Sequence, residues 1–260
     1  MFIYSTSWLL IFSTVGYIVS CAPSPRSTAC QSSHTDFSQG LGGAWSEEHG
    51  SHQGWEITGE GLVMTLTKPP GVVTKIDPNT NLPFNDQLAS ISPTFISSTM
   101  VRYGKITYVM KTADTPGAVT AAILKSPEGD EIDFEMLSGG GDNVQTNYFY
   151  GPVPVYNVNK QANSLGSASA SFHSYTIDWS PSAIRFYIDG NLIRDSPNPN
   201  NCDGSNGACN FPTHASYVKF GLWDASNPSG TAQWAMGPIN WNSSPSISAI
   251  IKSVTIECSS

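Results

Sequence analysis

The sequence predicts an all-β protein whose strands form an antiparallel sandwich. Short runs rich in β-branched and aromatic residues recur along the chain, as is typical of strands. Clusters of Gly, Pro, Asn and Asp separate these runs and predict turns. No long stretch has the apolar spacing of an amphipathic helix, and the turns leave no room for the crossover helices that a parallel sheet requires.

Strands are predicted where the apolar, β-branched and aromatic residues concentrate. In chain order they are WEIT (55–58), LVMTLT (62–67), GVVTKI (71–76), ITYVMKT (106–112), AVTAAIL (118–124), EIDFEML (131–137), VQTNYFY (144–150), SYTIDWS (174–180), AIRFYID (183–189), YVKFGLW (217–223) and ISAIIKSVTIE (247–257). The turns between them include KPPG at 68–71 and SPEGD at 126–130. The run RFYIDGNLIR predicts a hairpin that turns at Asp189, Gly190 and Asn191.

The composition predicts one globular domain and excludes several classes of partner. The chain has 260 residues, of which 39% are hydrophobic, and this is enough to form a sizeable core. Charged residues make up 12%, about half of the share usual in globular domains. The formal net charge of -8 and the lack of basic clusters in the sequence make nucleic acid and anionic membranes poor partners. We expect a single domain over residues 23–260.

An apolar run at residues 8–22 predicts a secretory signal peptide. The run is shorter than the roughly 20 apolar residues of a membrane-spanning helix, and the small residues Ser20 and Ala22 suit cleavage near Ala22. No Lys or Arg precedes the run, so a signal anchor or a buried helix stays open as an alternative. We expect residues 1–22 to be removed and the mature chain to be secreted without a membrane span. No lipid anchor is expected, because only serines follow Cys258.

Cysteines that remain after cleavage predict two disulfides. They are Cys30, Cys202, Cys209 and Cys258, an even number in an exported chain. Cys202 and Cys209 flank a short loop, and a bond between them would stabilise the fold by about 2–3 kcal/mol. Cys30 would then pair with Cys258 and join the two ends of the domain. The sequence has no Cys or His spacing typical of zinc sites, so we expect no metal and no cofactor.

The most informative segment is a ladder of carboxylates at residues 131–136. Side chains alternate faces along a strand, so Glu131, Asp133 and Glu135 share one face. Ile132 and Phe134 lie on the opposite face and are expected to pack in the core. Like charges placed about 6.6 Å apart repel one another, and the segment contains no Lys or Arg to offset them.

Two interpretations of the ladder follow from its chemistry. It could be the solvated outer face of an amphipathic strand. It could instead be a paired-carboxylate site that cleaves glycosidic bonds, where one carboxylate attacks the anomeric carbon and the other transfers a proton. Glu131 and Glu135 have Cα atoms about 13 Å apart, so their side chains would have to lean together on a concave sheet. An acid between them can share a hydrogen bond with the nucleophile and raise the pKa of the proton donor.

The segment EIDFE at 131–135 resembles the Glu-x-Asp-x-Glu signature of the family 16 glycoside hydrolases. Two longer segments are similar to the fungal Crh-type cell-wall transglycosylases of that family. They are GDEIDFEMLSGGGDNVQTNYFY at 129–150 and VKFGLWDASNPSGTAQWAMGPINW at 218–241. The resemblance extends over residues 35–242, nearly the whole mature domain.

The resemblance implies a fold, an activity and a role for each acid. The fold would be a concanavalin-like β-jelly roll with a concave substrate cleft. Glu131 would be the nucleophile, Asp133 the assisting acid and Glu135 the general acid/base of a retaining enzyme. Such enzymes cut chitin and transfer the new chain end to β-glucan or chitin. We expect a monomeric, cofactor-free enzyme, secreted or held in the cell wall, whose partner is polysaccharide.

Aromatic and polar residues near the ladder and the C-terminal motif are candidates for sugar contact, because flat sugar faces stack on aromatic rings. The candidates are Tyr148, Lys219, Trp223, Thr231 and Trp234. Phe134 stands where Crh proteins often have Trp. The segment 224–230 is shorter than its usual counterpart, and this difference affects where Thr231 is placed. We expect Trp179 and Trp241 to be core residues, and His173 to be a structural, hydrogen-bonded residue.

Two other functions stay open on the sequence. A β-1,3- or β-1,3-1,4-glucan hydrolase would share the fold and the ladder. A non-catalytic carbohydrate-binding wall protein would share the fold but would not need closely placed like charges. The sequon at Asn242 predicts N-glycosylation of the exported chain.

Overall fold

The computed structural model describes residues 30–50, 52–138, 143–156, 158–199 and 209–259. The predicted signal peptide, residues 1–22, lies outside these ranges. Within them, no helix has the length and the apolar character that a membrane crossing requires.

Strands make up most of the regular structure. They are β1 (Ser33–Asp36), β2 (Trp45–Glu47), β3 (Trp55–Thr58), β4 (Gly61–Thr67), β5 (Thr74–Ile76), β6 (Pro83–Asn85), β7 (Thr94–Val101), β8 (Gly104–Lys111), β9 (Ala118–Lys125), β10 (Glu131–Leu137), β11 (Val144–Phe149), β12 (Gln161–Asn163), β13 (His173–Trp179), β14 (Ala183–Ile188), β15 (Asn191–Pro197), β16 (Ser216–Asp224) and β17 (Ser246–Cys258). One short α-helix, α1, covers Ser229–Trp234, and 3-10 turns cover Phe37–Gln39 and Gly42–Ala44 in the described part of the chain.

The strands form two large antiparallel sheets. Among the described residues, one sheet has eight strands in the order β15–β14–β13–β8–β17–β4–β3, with β1 added beside β17. The other sheet has seven strands in the order β12–β11–β10–β9–β16–β7–β2. The strands β5 and β6 pair separately as a hairpin. The predicted all-β antiparallel architecture is confirmed.

The core lies between the two sheets. Phe134 of β10 packs edge-on against Phe186 of β14 at 5.2 Å and against Tyr175 of β13 at 5.6 Å between ring centroids. All three are fully buried, and burying each such ring stabilises the fold by about 1.5–3 kcal/mol. The predictions that Trp179 and Trp241 are core residues are confirmed, since both are buried in the same cluster.

The hairpin predicted within 185–194 is confirmed. Ile188 pairs with Asn191, so Asp189 and Gly190 form a two-residue turn. Both turn residues have positive φ, 49° and 77°, which is the geometry that matches the twist of the flanking strands. His173 is structural as predicted, because its Nδ1 lies 2.7 Å from Asp189 Oδ2 beside this turn.

One long strand was not predicted from the sequence. The strand β7 has three consecutive polar residues, Ser97, Ser98 and Thr99, at its centre. Its pairing with β16 contains a bulge, where the register shifts between Tyr217 and Lys219. A bulge breaks the two-residue alternation on which strand prediction relies, so the pattern of β7 is hidden in the sequence.

The predicted bond between Cys30 and Cys258 is confirmed. It joins the residues before β1 to the end of β17. Cys209 is also disulfide-bonded. Its predicted partner, Cys202, lies outside the described residues, so that pairing stays a prediction.

Candidate active site

The carboxylate ladder lies on the strand β10, which runs between β9 and β11 in the seven-stranded sheet. Ile132 and Phe134 point into the core and are at most 1% exposed. Glu131, Asp133 and Glu135 therefore point the opposite way, where they line a cleft of about 520 Å³. Asp133 is buried at 2% exposure and both glutamates are partly buried. The alternative of a solvated outer face is wrong for this ladder.

The neighbouring strand β11 supplies a second row of the cleft. Across the pair, Phe149 lies opposite Glu131, Asn147 opposite Asp133 and Gln145 opposite Glu135. All three β11 residues line the cleft. The sequence prediction missed them, although the alternation of VQTNYF contains the signal, because Gln145 and Asn147 recur at every second position.

Asp130 fixes the start of β10, directly before Glu131. Its buried carboxylate accepts hydrogen bonds from the backbone N–H of Gly151, Thr213 and His214, at 2.7–2.9 Å. Burial opposes ionisation of Asp130, but these hydrogen bonds outweigh it and hold its pKa below the usual value. Asp130 thus ties the start of β10 to the segments that follow β11 and precede β16.

Glu135 lies in surroundings that favour its protonated form. Burial raises its pKa well above the usual value, and the nearby charges of Asp133 and Glu131 raise it further. The indole Nε1 of Trp223 donates a hydrogen bond to Glu135 Oε2 at 3.2 Å and opposes this rise. A carboxyl group whose pKa is raised in this way is suited to deliver a proton to a substrate.

Asp133 is also biased toward its protonated form. Burial raises its pKa well above the usual value, and the charge of Glu131 adds to the effect. Arg194 and Lys125 oppose the rise through their positive charges. One oxygen of Asp133, Oδ1, is buried and has no hydrogen-bond partner among the described residues.

Glu131 differs from the other two acids because a cation contacts it. Lys125 Nζ of β9 donates a 2.6 Å hydrogen bond to Glu131 Oε2. The two residues lie directly opposite each other in the β9–β10 pair. The pair is a charge-assisted hydrogen bond, which is stronger than one between neutral groups. The sequence prediction missed Lys125, which stands just before the turn at 126–130.

Two tryptophans form an aromatic surface at the Glu135 end of the cleft. The rings of Trp223 and Trp234 are stacked, with centroids 5.9 Å apart and planes 21° apart. Trp234 Nε1 donates a 2.8 Å hydrogen bond to Gln145 Oε1, which fixes the ring against β11. The helix α1 also places Thr231 in the cleft wall. The structure thus brings Trp223, Thr231 and Trp234 to the cleft, where the sequence placed them.

Lys219 lies on the cleft face of the sheet but away from the acids. It is opposite Ile123, which is opposite Asp133, so two strand spacings of about 4.8 Å separate Lys219 from the ladder. Its Nζ donates a 2.6 Å hydrogen bond to Glu48 Oε1. Lys219 does not belong to the residues that line the described cleft.

Tyr148 does not face the cleft, and the prediction of sugar contact for it is wrong. It lies opposite Ile132, on the core side of β11. The side chain is 9% exposed and packs against Phe211 and under the Arg194 guanidinium. The reason is the alternation of the strand, since Asn147 and Phe149 take the cleft-facing positions.

The segment after β11 completes the cleft. Tyr156 and Lys160 line it, together with Gly230 of α1. Tyr156 is 71% exposed, and its ring packs edge-on against Phe149 with centroids 5.6 Å apart. Tyr156 and Lys160 lie in irregular structure, and no periodic signal in the sequence marks them. Within the described ranges, no group of three or more His, Cys, Asp or Glu residues is arranged to hold a metal ion.

Residues 41–243 match the glycosyl hydrolases family 16. The chain belongs to this family. The matched region includes the ladder, both rows of the cleft and the tryptophan pair, so the family assignment and the geometry refer to the same part of the molecule.

Relatives within family 16 include fungal Crh-like proteins. Crh-like protein UTR2 of Candida albicans is 36% identical over 154 residues, which cover 58% of this chain and 33% of that protein. The Crh-like protein of Arthroderma benhamiae is 34% identical over 184 residues, which cover 69% of this chain and 48% of that protein. The chain therefore spans a third to a half of the length of these curated relatives.

Solved structures of two enzymes share the fold. The apo Crh5 transglycosylase superposes with a TM-score of 0.71 at 27% identity, covering 89% of this chain and 86% of that one. The β-glucanase of Bacillus licheniformis gives a TM-score of 0.66 at 21% identity, covering 88% of this chain and 98% of that one. Because its identity is only 21%, the likeness to the β-glucanase concerns the fold alone. Together they confirm the predicted family 16 jelly roll.

Proposed function

We propose that the chain is a retaining cell-wall transglycosylase that cleaves chitin and transfers the new chain end to β-glucan or chitin. The observation that carries this proposal is the placement of Glu131, Asp133 and Glu135 together in one aromatic-walled cleft. A lectin would not need three like charges at this spacing, since their repulsion raises the free energy of the folded state. The likeness to the Crh5 transglycosylase supports the choice of activity.

Glu131 acts as the nucleophile in this proposal, and Glu135 acts as the proton donor. A Glu131 oxygen bonds to the anomeric carbon while the glycosidic C–O bond breaks, and Glu135 gives its proton to the departing oxygen. The asymmetry of the surroundings supports the assignment. Lys125 places a positive charge in contact with Glu131, whereas burial raises the pKa of Glu135.

The second step returns both acids to their first state. An acceptor hydroxyl bonds to the anomeric carbon, its proton passes to Glu135, and the ester bond to Glu131 breaks. A sugar acceptor gives transglycosylation and water gives hydrolysis. An acceptor chain held in the cleft is positioned for attack and excludes water, and the cleft offers aromatic rings for this purpose in Trp223 and Trp234.

Four of the five predicted sugar-contact residues have positions that allow a role in the proposed binding of substrate. Trp223 and Trp234 would stack on sugar rings beside Glu135, and Thr231 would offer its hydroxyl from the same wall. Lys219 would contact only a chain that extends across the sheet beyond Ile123. Tyr148 has no such role, because it lies in the core.

The proposed donor is chitin because a related structure contains its sugar unit. The Crh5 transglycosylase, which shares the fold, has been solved in complex with NAG. The proposal that β-glucan is an acceptor rests on the similarity to Crh-like proteins.

Labelled chitin oligosaccharides as donors, with laminarin as acceptor, test the proposal. A labelled glucan product is the expected result. Cleavage of laminarin without transfer would identify a β-1,3-glucan hydrolase instead. The variants Glu131→Gln and Glu135→Gln should lose transfer by at least about a thousandfold while remaining folded. Undiminished transfer in both variants contradicts the assignment of the site.

We also infer that the protein acts outside the cell or in the wall. The bond between Cys30 and Cys258 supports this, since disulfides persist in oxidising compartments. Asn242 of the predicted sequon is exposed and therefore accessible to a glycan. A shift in mass after N-glycosidase treatment, absent in Asn242→Gln, would support glycosylation, and an unshifted native protein would exclude it.

A further inference from the structure

The β9–β10 hairpin ends in an ion pair at the mouth of the ladder. Lys125 is the last residue of β9 and Glu131 is the first residue of β10, and they lie directly opposite each other. Both side chains therefore project from the cleft face of the sheet. The Nζ–Oε2 distance is 2.6 Å, with the Lys125 side chain 41% exposed and the Glu131 side chain 22% exposed.

We propose that Lys125 is the counter-ion of Glu131 and sets the balance between formation and discharge of the glycosyl–enzyme. This inference rests on the proposed function, because it requires Glu131 to become an ester during the reaction. Lys125 acts through its direct contact with the reacting carboxylate of Glu131.

Formation of the intermediate removes the charge that Lys125 neutralises. An electron pair of the Glu131 carboxylate forms the bond to the anomeric carbon, the glycosidic bond breaks, and the proton of Glu135 goes to the departing oxygen. Glu131 is then a neutral ester, so Lys125 keeps its charge but loses an anionic partner. Lys125 consequently favours the free carboxylate over the ester and slows the first step.

Discharge of the intermediate restores the ion pair. The acceptor oxygen bonds to the anomeric carbon, the acceptor proton goes to Glu135, and the electron pair of the ester bond returns to Glu131. Negative charge develops on Glu131 within hydrogen-bond distance of the Lys125 ammonium. Lys125 therefore stabilises the departing carboxylate and speeds the second step.

Polar and charged residues surround the Lys125–Glu131 pair on both sides. Asp133 is the next acid on the cleft face of β10, and Tyr217 lies on the far side of Lys125 in β16. Lys160 and Tyr156 approach the cleft from the segment after β11, and both are exposed. A sugar chain in the cleft displaces water around Glu131, which lowers the local dielectric constant and strengthens the interaction with Lys125.

A purely structural role for the ion pair has a weaker basis. Cross-strand pairs of opposite charge stabilise hairpins modestly, but this hairpin is already closed by its turn. Ser126 N–H donates to the Asp130 carbonyl at 2.9 Å, and Asp130 N–H donates to Ser126 Oγ at 3.1 Å. The turn therefore does not depend on Lys125 for its geometry.

The experiment compares Lys125→Met, Lys125→Gln and Lys125→Arg with the native protein. The donor is an aryl chitooligosaccharide, whose good leaving group makes the first step fast, so that release of the phenol reports formation and steady-state turnover reports discharge. In the Met and Gln variants we expect discharge to slow by about tenfold, with a larger burst of phenol and a glycosyl–enzyme visible by intact-protein mass spectrometry. Lys125→Arg should restore both rates, because it retains the charge.

Lys105→Met is the matched control. It removes the cation of a Lys–Glu pair with Glu257, also between antiparallel strands, but in the eight-stranded sheet away from the cleft. Its burst and turnover should match those of the native protein. Thermal unfolding of every variant checks that each is folded.

Three results would overturn the inference. One is an equal loss in both steps for the Met and Gln variants, another is no change in either step, and the third is failure of Lys125→Arg to restore discharge. These outcomes are distinguishable from failure of the proposed function. In that case the native protein would form no transfer product, or Glu131→Gln would remain active, whatever residue stood at position 125.

Discussion

Glu131 and Glu135 are the same residue type on the same strand face, but different groups contact their carboxylates. Glu131 accepts a hydrogen bond from the Lys125 cation, whereas Glu135 accepts one from the neutral indole of Trp223. The contacts that distinguish the two ends of this nearly symmetric motif therefore come from residues outside it, in β9 and β16. In the proposed mechanism, this asymmetry separates the nucleophile from the proton donor.

Replacing Trp223 with Phe should move the alkaline limb of the pH–activity profile. Loss of the indole hydrogen bond removes an interaction that lowers the pKa of Glu135, so the pKa rises further. Glu135 then stays protonated to higher pH, and the alkaline limb of kcat/KM shifts upward. The aromatic ring persists, so kcat/KM at the optimum should fall by only about two- to tenfold. Initial rates of donor cleavage across pH measure both effects.

Trp234→Phe is the control for this prediction. The Trp234 indole donates to Gln145, and not to Glu135. Its loss should weaken sugar binding and leave the alkaline limb in place. A limb that moves equally in both variants, or that moves downward in Trp223→Phe, would mean that Glu135 is not the group that titrates.

Residue placement could be predicted where it depends on strand alternation alone. The alternation of EIDFE correctly separates Asp133 from Phe134, and each lies on the face expected for it. Tyr148 was predicted to contact sugar from its aromatic chemistry, but the alternation of β11 places it on the core face. Lys125 could not be recognised as a partner of Glu131, since that requires the register of β9 against β10, which is set by the turn between them.

The hairpin of β9 and β10 is the element that carries the site. Gly129, in its turn, has φ of 103°, a conformation that residues with a Cβ rarely adopt. A Cβ at this position would also meet the backbone of Gly151 and Pro152. The turn therefore depends on glycine both for its own conformation and for close packing against the segment that follows β11.

Gly129→Ala should destabilise the fold by about 1–3 kcal/mol. The turn must shift away from Gly151, and this displaces Asp130 and the adjacent Glu131. We therefore expect transfer activity to fall even at temperatures where the variant remains folded. Chemical denaturation measures the free energy of unfolding, and the donor–acceptor assay measures activity.

Gly43→Ala provides the comparison. Nothing lies within 4 Å of the Cβ that this substitution would add, and Gly43 is not among the residues with positive φ. It should change the unfolding free energy and the activity little. If Gly129→Ala behaved like Gly43→Ala, the turn would not be the feature that positions Glu131.

At the scale of the molecule, one sheet serves two purposes. The seven-stranded sheet gives its inner face to the core, with Phe134 packed on Phe186, and its outer face to the cleft. The strands β9, β10, β11 and β16 could be predicted because their apolar and β-branched residues repeat along the sequence, whereas β7 could not. The cleft could be predicted only in part, since Tyr156 and Lys160 approach it from a segment without periodic signal, and their position depends on the whole fold.

Replacing both Cys30 and Cys258 with Ser should lower the stability of the whole molecule without changing the site. The bond joins positions separated by 228 residues, so its loss frees a large part of the unfolded chain and should cost about 2–5 kcal/mol. For a domain of this size the melting temperature should fall by about 10 °C.

Ser32→Ala serves as the control, because it removes the 3.0 Å hydrogen bond from Cys258 N–H and keeps the cross-link. Activity at 25 °C should persist in the double variant, since the bond lies beside β1 and β17 of the eight-stranded sheet while the acids face outward from the other sheet. Loss of transfer activity in a folded double variant would show that the cross-link shapes the cleft, and an unchanged melting temperature would show that the non-covalent pairing of β1 with β17 already holds the ends together.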